Sequence, residues 1–384
     1  MFARRMESVP ESGTVRIANM VSKLKDEGAD IISFSMGEPD FPTPMNIKDA
    51  CVRSIANDFT YYTPSAGIPE LRKAVAEKIR KGNHIPCESS NVLITPTKQA
   101  IFMTMLAMID DGDEVVVPEI AWGTFEACAK LAGGKVRHAK LSPEESFRMT
   151  PDSLAEQITD KTKLIVLNSP SNPCGAVLTK EDVKGIADLA KDHDFFVLAD
   201  EIYDQLVFEG EHTSIASLEG MFDRTITVNG FSKTYAMTGW RAGWAIAPKP
   251  IFKELNKLQT QSITCVTSFV QQACLEAIKG PQDSVIAMKK EFKARRDLVH
   301  SLIDSIPKLD CPMPSGAFYM MPSYDFDMSS DDMAAYLLEE AHVAVTPGSA
   351  FGPAGEGRFR LSYAASREDI REGMSRIRTA LAKL

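Results

Sequence analysis

Residues able to do chemistry follow several predicted strands of this sequence. A hydroxyl, an amide, an acid and two amines each stand at or just after a strand end: Thr97 and Lys98 after 91–95, Asn172 after 163–168, Asp200 at the end of 195–200, and Lys233 after 225–229. Ligands of open α/β sheets bind at the carboxyl ends of the strands. The spacing therefore predicts that these side chains meet at one edge of a sheet.

A lysine beside a carboxylate and an anion-binding turn indicates Schiff-base chemistry. A lysine amine becomes a useful nucleophile where desolvation or a neighbouring cation lowers its pKa. Pyridoxal phosphate requires such a lysine, an acid facing its ring nitrogen and donors for its phosphate. Lys233, Asp200 and the turn at Thr97 are of the right types.

The elements that position these residues alternate along the chain. Short apolar runs predict strands, and helical patterns such as 98–109 and 179–193 separate some of them; the runs are 91–95, 114–118, 163–168, 195–200, 225–229 and 240–247. Such alternation predicts an α/β domain with a mostly parallel sheet. Helices mixed with short strands toward the C-terminus predict a smaller α+β domain. We place the large domain at 46–285 and build the small one from 1–45 with 286–384.

Composition excludes several classes of protein. The 384 residues carry a net charge of −9, which disfavours nucleic-acid binding because phosphate contacts need a basic face. The seven cysteines and six histidines show no metal-ligand spacing, so we expect no metal site. No segment has the pattern of a signal peptide or a membrane span, and we expect a cytoplasmic protein without membrane partners.

Eight segments stand in a characteristic order: MGEPDFPTP (36–44), YTPSAGIPELR (62–72), TPTKQA (95–100), NSPSNPCGAV (168–177), ADEIYDQL (199–206), SKTYAMTGWRAGW (232–244), SGAFY (315–319) and FRLSYAAS (359–366). Together they resemble the class I/II aminotransferases, which are pyridoxal-phosphate enzymes of fold type I, and within them the aspartate-aminotransferase-like branch. The resemblance covers essentially the whole chain. It implies a seven-stranded, mostly parallel sheet flanked by helices, pyridoxal 5'-phosphate as cofactor, and a homodimer.

The resemblance implies roles for four residues around the reacting atoms. Lys233 would bind the cofactor as a Schiff base and then act as the general acid–base. Asp200 would face the pyridine nitrogen and keep it protonated; without the resemblance it could equally be a helix N-cap. Asn172 and Tyr203 would hydrogen-bond the cofactor's phenolic oxygen.

The phosphate is implied to lie against Arg241, whose guanidinium fork matches phosphate oxygens. Backbone N–H groups of Thr97 and Lys98 would open a helix toward it, with Ser232 as a nearby hydroxyl. Tyr62 would reach the phosphate from the neighbouring subunit of the homodimer.

For the substrate, the resemblance implies that Arg360 grips the α-carboxylate and that the backbone of Gly37 approaches the same group. Trp122 would stack on the cofactor ring and, like Asn172, border the substrate; a packing role is the alternative for this tryptophan. A distal carboxylate would need a further cation. Lys98 is the first candidate and Arg16 the second.

The sequence departs from the family pattern at three places near the phosphate. Pro96 and Thr97 stand where many relatives carry two glycines, and a proline offers no N–H. The Thr97 hydroxyl is expected to replace that donor. Gly230 stands where some relatives have a serine, and Cys174, where threonine is common, is expected to be a packing residue.

We expect an aminotransferase that works by ping-pong kinetics. Aspartate is the favoured amino donor and 2-oxoglutarate the expected acceptor. Aromatic amino acids or alanine are alternative donors. A pyridoxal-phosphate-dependent carbon–sulfur β-lyase on the same fold is a second alternative, and a non-catalytic cofactor-binding regulator is a remote third.

Overall fold

A computed structural model gives the structure of the protein and describes residues 2–9 and 13–384. Over these residues the strands are β1 (Ile32–Ser33), β2 (Val92–Ile94), β3 (Glu114–Pro118), β4 (Lys135–Ala139), β5 (Thr162–Asn168), β6 (Phe196–Asp200), β7 (Thr225–Gly230), β8 (Gly243–Ile246), β9 (Leu309–Asp310), β10 (Tyr319–Met320), β11 (Ser323–Tyr324), β12 (Val343–Ala344), β13 (Thr346–Pro347) and β14 (Phe359–Ser362). The α-helices are α1 (Gly13–Asp26), α2 (Met45–Ala56), α3 (Pro69–Gly82), α4 (Thr97–Met108), α5 (Thr124–Leu131), α6 (Pro151–Ala155), α7 (Lys180–Asp192), α8 (Lys249–Ser262), α9 (Ser268–Lys279), α10 (Asp283–Asp304), α11 (Ser330–Ala341) and α12 (Arg367–Leu381).

One central sheet has seven strands in the order β2-β8-β7-β6-β5-β3-β4. β8 runs antiparallel to both of its neighbours, and the other pairs are parallel. Residues 92–94 and 164–167 are buried without alternation, as is typical of strands covered by helices on both faces. The predicted α/β fold with a mostly parallel seven-stranded sheet is confirmed.

The structure confirms the bounds of one predicted strand and shortens another. The strand predicted at 114–118 is Glu114–Pro118. The one predicted at 240–247 is shortened to Gly243–Ile246. Thr238–Trp240 form a 3₁₀ turn and Arg241 has a left-handed backbone with φ 54°, so the chain enters the sheet later than the apolar pattern indicates.

Helix α7 shows how the sequence specifies a helix that buries one apolar stripe. The Thr179 side chain accepts from the backbone N–H of Asp182 at 3.1 Å, and the Asp182 carboxylate accepts from that of Thr179 at 2.8 Å, which forms a capping box. Val183, Ile186 and Ala190 are buried on the face that packs on the sheet. In the described ranges no helix joins the length and the apolar composition that a bilayer crossing requires.

A second core lies around the short strands. β1 pairs with β12 in parallel, and β10, β14 and β13 form an antiparallel sheet. Residues from both chain ends share this core, including Phe34, Phe292 and Phe359. Tyr203, just after β6, packs into it as well. α10 runs across residue 285, the predicted boundary, and the division into two domains stays a prediction.

Candidate active site

A cavity of about 350 Å³ lies at the carboxyl edge of the central sheet. Its walls include all the predicted site residues except Tyr62 and the second distal-cation candidate, Arg16: Gly37, Thr97, Lys98, Trp122, Asn172, Asp200, Tyr203, Ser232, Lys233, Arg241 and Arg360. Tyr62 lies outside the cavity with 88% of its surface exposed. A larger cavity of about 440 Å³, elsewhere in the molecule, has none of these residues in its walls.

Strand register explains why distant residues converge here. Asn168 and Asp200 are direct partners across β5 and β6, so their side chains leave the sheet together. Gly230 at the end of β7 faces Gly243 at the start of the antiparallel β8. The turns that carry Lys233 and Arg241 therefore begin at the same edge. Beyond β5, the Ser169–Pro170 and Asn172–Pro173 peptide bonds are both cis.

Lys233 is held in the cavity by contacts to its amine. Its Nζ donates to the carbonyl of Gly37 and lies 6.0 and 5.8 Å from the ring centres of Tyr203 and Phe318. Burial lowers the pKa of Lys233 to about 8. A larger fraction of the amine is therefore neutral, and thus nucleophilic, at physiological pH than for a surface lysine.

Asp200 ends β6 with 3% of its surface exposed. Burial is the main cause that raises the pKa of Asp200 to about 7; neighbouring Glu201 acts in the same direction, while the backbone N–H of Ile202, 3.2 Å from Oδ1, and the Lys233 amine oppose the rise. No cationic side chain of the described residues pairs with this carboxylate. A cationic nitrogen placed in the cavity beside it would restore its ionisation.

Tyr319 is a site residue that the sequence analysis missed. Its hydroxyl lies 2.8 Å from that of Tyr203. A Cβ on Gly37 would lie 2.9 Å from the Tyr319 hydroxyl, so a side chain at this position would crowd the cavity wall. The signal was available, since Tyr319 closes the segment SGAFY, one of the eight segments that carry the family resemblance.

Arg360 is 2% exposed and held by three acceptors. Its NH1 donates to Asn172 Oδ1 at 3.0 Å, and its NH2 donates to the Ser35 carbonyl at 2.7 Å and the Thr346 hydroxyl at 3.3 Å. Its Nε is buried without a hydrogen-bond partner. Within residues 2–9 and 13–384 no carboxylate pairs with this guanidinium. A buried cation that lacks an anion is a receptor for one. Ser35 and Thr346 carry no sequence signal for this contact.

The turn at Thr97 offers backbone donors rather than a hydroxyl. α4 begins after Pro96 without a side-chain cap, so the N–H groups of Thr97 and Lys98 have no helical partner. The Thr97 hydroxyl donates to the Asn229 carbonyl at 2.9 Å. A Cβ on Gly230 would lie 2.7 Å from that hydroxyl. The expectation that this hydroxyl replaces the missing donor is corrected, because its hydrogen is used inside the protein.

Arg241 faces the cavity from the turn before β8. Its NH1 donates to the Thr238 carbonyl at 2.8 Å, and the side chain is exposed. Its positive φ is uncommon for a residue other than glycine and is typical of functional turns. Cys174, expected to be a packing residue, is buried with its sulfur 3.9 Å from that of Met321.

The two candidates for a distal cation lie in different places. The Lys98 Nζ is 4.5 Å from the ring centre of Trp122, and both side chains line the cavity. Partial desolvation lowers the pKa of Lys98. Arg16 lies outside the cavity, 63% exposed, and pairs with Asp331 at 3.3 Å.

Charge in the cavity is strongly one-sided. Its walls carry four basic side chains and one buried acid, namely Lys98, Lys233, Arg241, Arg360 and Asp200. A helix N-terminus adds a further partial positive charge. The cavity is therefore suited to a ligand with several anionic groups and one cationic nitrogen.

Comparisons with known proteins agree with this geometry. A sequence model of the family "Aminotransferase class I and II" matches residues 29–377. An aspartate aminotransferase of Pyrococcus abyssi is 40% identical, over 98% of this chain and 97% of its own length. An aromatic-amino-acid aminotransferase 2 of Thermococcus litoralis is 42% identical over 98% and 97%. The solved structure of aspartate aminotransferase from Thermus thermophilus with maleate superposes with a TM-score of 0.96, at 38% identity over 99% of both chains.

The chain belongs to the class I and II aminotransferases and has their fold type I architecture. The prediction of an aminotransferase that resembles the aspartate enzymes is confirmed.

Proposed function

We propose that this aminotransferase uses pyridoxal 5'-phosphate, takes its amino group from L-aspartate and passes it to 2-oxoglutarate. The observation that carries the proposal is a half-buried lysine, a buried acid and a buried arginine without an anionic partner in the walls of one cavity: Lys233, Asp200 and Arg360.

The cavity residues fit the cofactor by charge and by shape. Arg241, the backbone N–H groups of Thr97 and Lys98, and the Ser232 hydroxyl would hold the phosphate. Asp200 would hold a protonated ring nitrogen, which explains why a carboxylate is buried without a cationic partner. When bound, the cofactor supplies a carbonyl for the amine and a ring that accepts electrons.

This chain's own residues would bind the substrate and move its proton. The Lys233 Nζ, held against the Gly37 carbonyl, would take a proton from the substrate α-carbon and return it. Asn172 and Tyr203 would orient the cofactor by hydrogen bonds, and Trp122 would cover its ring.

Arg360 would bind the substrate α-carboxylate beside the Gly37 backbone. Its guanidinium is oriented before substrate arrives by Asn172, Ser35 and Thr346, so little conformational entropy is lost on binding. The same contacts fix which face of the substrate points toward Lys233.

Lys98 would read the distal carboxylate of aspartate, because it lies in the cavity wall and Arg16 does not. Relatives named for aspartate and for aromatic amino acids are similar to this chain at nearly the same level, so the donor has to be measured. We expect Lys98→Ala to lower kcat/KM for aspartate about tenfold or more and to spare phenylalanine. Arg16→Ala is the matched control; an equal loss for both donors in Lys98→Ala would remove Lys98 from this role.

The cofactor is tested by visible absorption of the purified enzyme. The wild type is expected to be yellow and to bleach when L-aspartate is added. Lys233→Ala should neither bleach with aspartate nor transaminate, whereas Lys180→Ala, an exposed lysine outside the cavity, should do both. A colourless wild type that stays colourless after incubation with pyridoxal phosphate would refute the proposal.

The proposal includes a homodimer with Tyr62 acting across the interface. A groove of about 820 Å³ adjoins the cavity, since Pro96, Thr238 and Arg241 line both. Exposed apolar side chains stand on α2 (Met45, Val52 and Ile55) and on the segment after it (Tyr61 and Tyr62). Such exposed apolar surface beside a site supports contact with a second chain.

A hybrid dimer tests this arrangement. Lys233→Ala and Tyr62→Phe subunits are mixed, and cofactor affinity and activity are measured. If Tyr62 acts across the interface, the Tyr62→Phe subunit receives an intact tyrosine from its partner, and one wild-type site appears. A hybrid that retains only the weakened Tyr62→Phe site would place Tyr62 within its own subunit.

The proposed location is the cytoplasm. All seven cysteines are unpaired in the structure, which suits a reducing compartment.

A further inference from the structure

A buried polar cluster adjoins Asp200 outside the walls of the active-site cavity. It consists of Glu201, Asp204, Asn83 and His212, and its members come from the segment after β6, the end of α3 and the loop near residue 212. Glu201 and Asp204 are 3% and 8% exposed. The proposed function gives these residues no task, although Glu201 directly follows Asp200.

Hydrogen bonds connect the cluster through one amide. The Nδ2 of Asn83 donates to Glu201 Oε2 and to Asp204 Oδ2, both at 3.2 Å. The Nε2 of His212 lies 3.1 Å from the same Glu201 oxygen, and its side chain is 10% exposed. Two buried carboxylates joined by a neutral amide need a positive charge nearby, because burial of unpaired charge is costly.

His212 is the group that can supply that charge. Asp200 and His212 line one small cavity of about 10 Å³, whose other walls come from Glu201 and from uncharged residues of β5, α7 and the adjoining loops, including Ser169, Leu178, Val183 and Ile215. Glu201 and Asp200 thus share this cavity with the imidazole, and Asp204 is close enough to act on it by charge. Burial alone would lower the pKa of His212, but Glu201 and Asp204 outweigh it and raise that pKa above its ordinary value.

We propose that His212 is the counter-cation of this cluster and, through Glu201, a positioning residue that sets the proton affinity of Asp200. The inference rests on the proposed function, in which Asp200 holds the cofactor's ring nitrogen. The cationic imidazole cancels the charge of Glu201, so that Asp200 can carry its own negative charge next to a second buried acid.

Substitutions of Glu201 and of His212 should change the proton affinity of Asp200 in opposite directions. Glu201→Gln removes a negative neighbour, which lowers the proton affinity of Asp200 and of His212. His212→Gln leaves Glu201 without its counter-charge, which raises the proton affinity of Asp200. The double variant Glu201→Gln/His212→Gln replaces an ion pair by a neutral pair of similar shape and should return Asp200 close to its wild-type behaviour.

The first measurement uses the protein freed of cofactor and labelled with ¹³C at histidine. Six histidines give few signals, and His212→Gln identifies the one that disappears. We expect this signal to titrate above the ordinary pH of about 6.5 and to move down by about one unit or more in Glu201→Gln. Glu126→Gln alters the Glu126–His138 pair elsewhere and is the matched control that must leave His212 unmoved. An unchanged His212 midpoint in Glu201→Gln overturns the inference.

The second measurement follows the visible absorption of the holoenzyme with pH. The pH at the midpoint of the absorbance change should rise in His212→Gln and fall in Glu201→Gln. In the double variant it should return to the wild-type value. If both single variants shifted the absorbance midpoint in the same direction, the cluster would have only a structural role. The same holds if the midpoint did not shift while urea unfolding showed lost stability. Wild-type protein without a visible band would instead refute the proposed function, and the histidine titration would still test the cluster.

Discussion

Two arginines line the cavity under very different constraints. Arg360 is 2% exposed and is held by acceptors from three distant segments of the chain. Arg241 is exposed, and its one described hydrogen bond is to Thr238, three residues away. Tertiary packing fixes the first, whereas a local left-handed backbone fixes the second.

The two arginines also differ in whether another group of the protein could bind the same anion in their place. Around Arg360 the walls contain no second cation held in the same buried position, so an anion there depends on one guanidinium. Around Arg241 the free N–H groups at the start of α4 remain when the side chain is removed. The part of the cavity around Arg360, the buried end, should therefore be intolerant of substitution. The part around Arg241 and the start of α4, the exposed end, should be tolerant.

Removal of the buried arginine should weaken substrate binding strongly. Arg360→Ala is expected to lower kcat/KM for amino acids by on the order of 10²- to 10³-fold, because a buried charge-assisted contact is lost. Steady-state kinetics with aspartate checks this. Arg358→Ala, which lies two residues earlier and stacks on Phe147 at 4.8 Å instead, is the control and should stay near the wild type. A loss below tenfold in Arg360→Ala would contradict the buried-receptor interpretation.

The exposed arginine should affect the cofactor more than the reaction. Arg241→Ala is expected to weaken pyridoxal phosphate binding about 10- to 100-fold, with kcat largely restored when the cofactor is saturating. Cofactor titration by absorbance measures this. Arg241→Lys keeps the positive charge but lacks the forked guanidinium, so its cofactor affinity should lie between those of the wild type and Arg241→Ala. If kcat remained low at saturation, Arg241 would belong with the intolerant residues.

A smaller change probes the wall between the two ends. Gly37→Ala should raise KM for amino acids about tenfold, since the new methyl group would lie 2.9 Å from the Tyr319 hydroxyl. Tyr319→Phe in the same chain removes that hydroxyl and should recover much of the loss. The idea fails if the double variant binds substrate no better than Gly37→Ala alone.

The smallest effect is expected beneath the exposed end. Thr97→Val leaves the buried Asn229 carbonyl without its donor, which should lower the free energy of unfolding by about 1–2 kcal/mol. Urea unfolding measures this as a lower midpoint concentration with an unchanged dependence of the unfolding free energy on urea. Thr97→Ser keeps the hydroxyl and should remain close to the wild type. Equal stability of the serine and valine variants would show that this hydrogen bond contributes little.

Sequence reasoning worked where the signal was local. Unbroken apolar runs predict buried strands such as Glu114–Pro118, and the polar residue at a strand end predicts a position such as that of Asp200. The segment order carried the family resemblance and, through it, the placement of Arg360 and Lys233 in one site.

Sequence reasoning failed where position depends on contacts across the fold. Ser35 and Thr346 touch Arg360 through folding alone, and neither has a local pattern that marks it. Thr97 has the right side chain for an anion donor, but the Asn229 carbonyl takes its hydrogen. The left-handed turn at Arg241 makes β8 shorter than predicted. The sequence pattern missed this because apolar periodicity carries no information on φ.

The pairing of β1 with β12 has a consequence for how the protein is made. The Ser35 carbonyl lies just beyond β1, whereas β12 and Arg360 are synthesised after the other segments of the site. The residues at the phosphate end, between Thr97 and Arg241, are synthesised well before them. Because a nascent chain folds from its N-terminal side, the phosphate end can assemble while the carboxylate receptor does not yet exist.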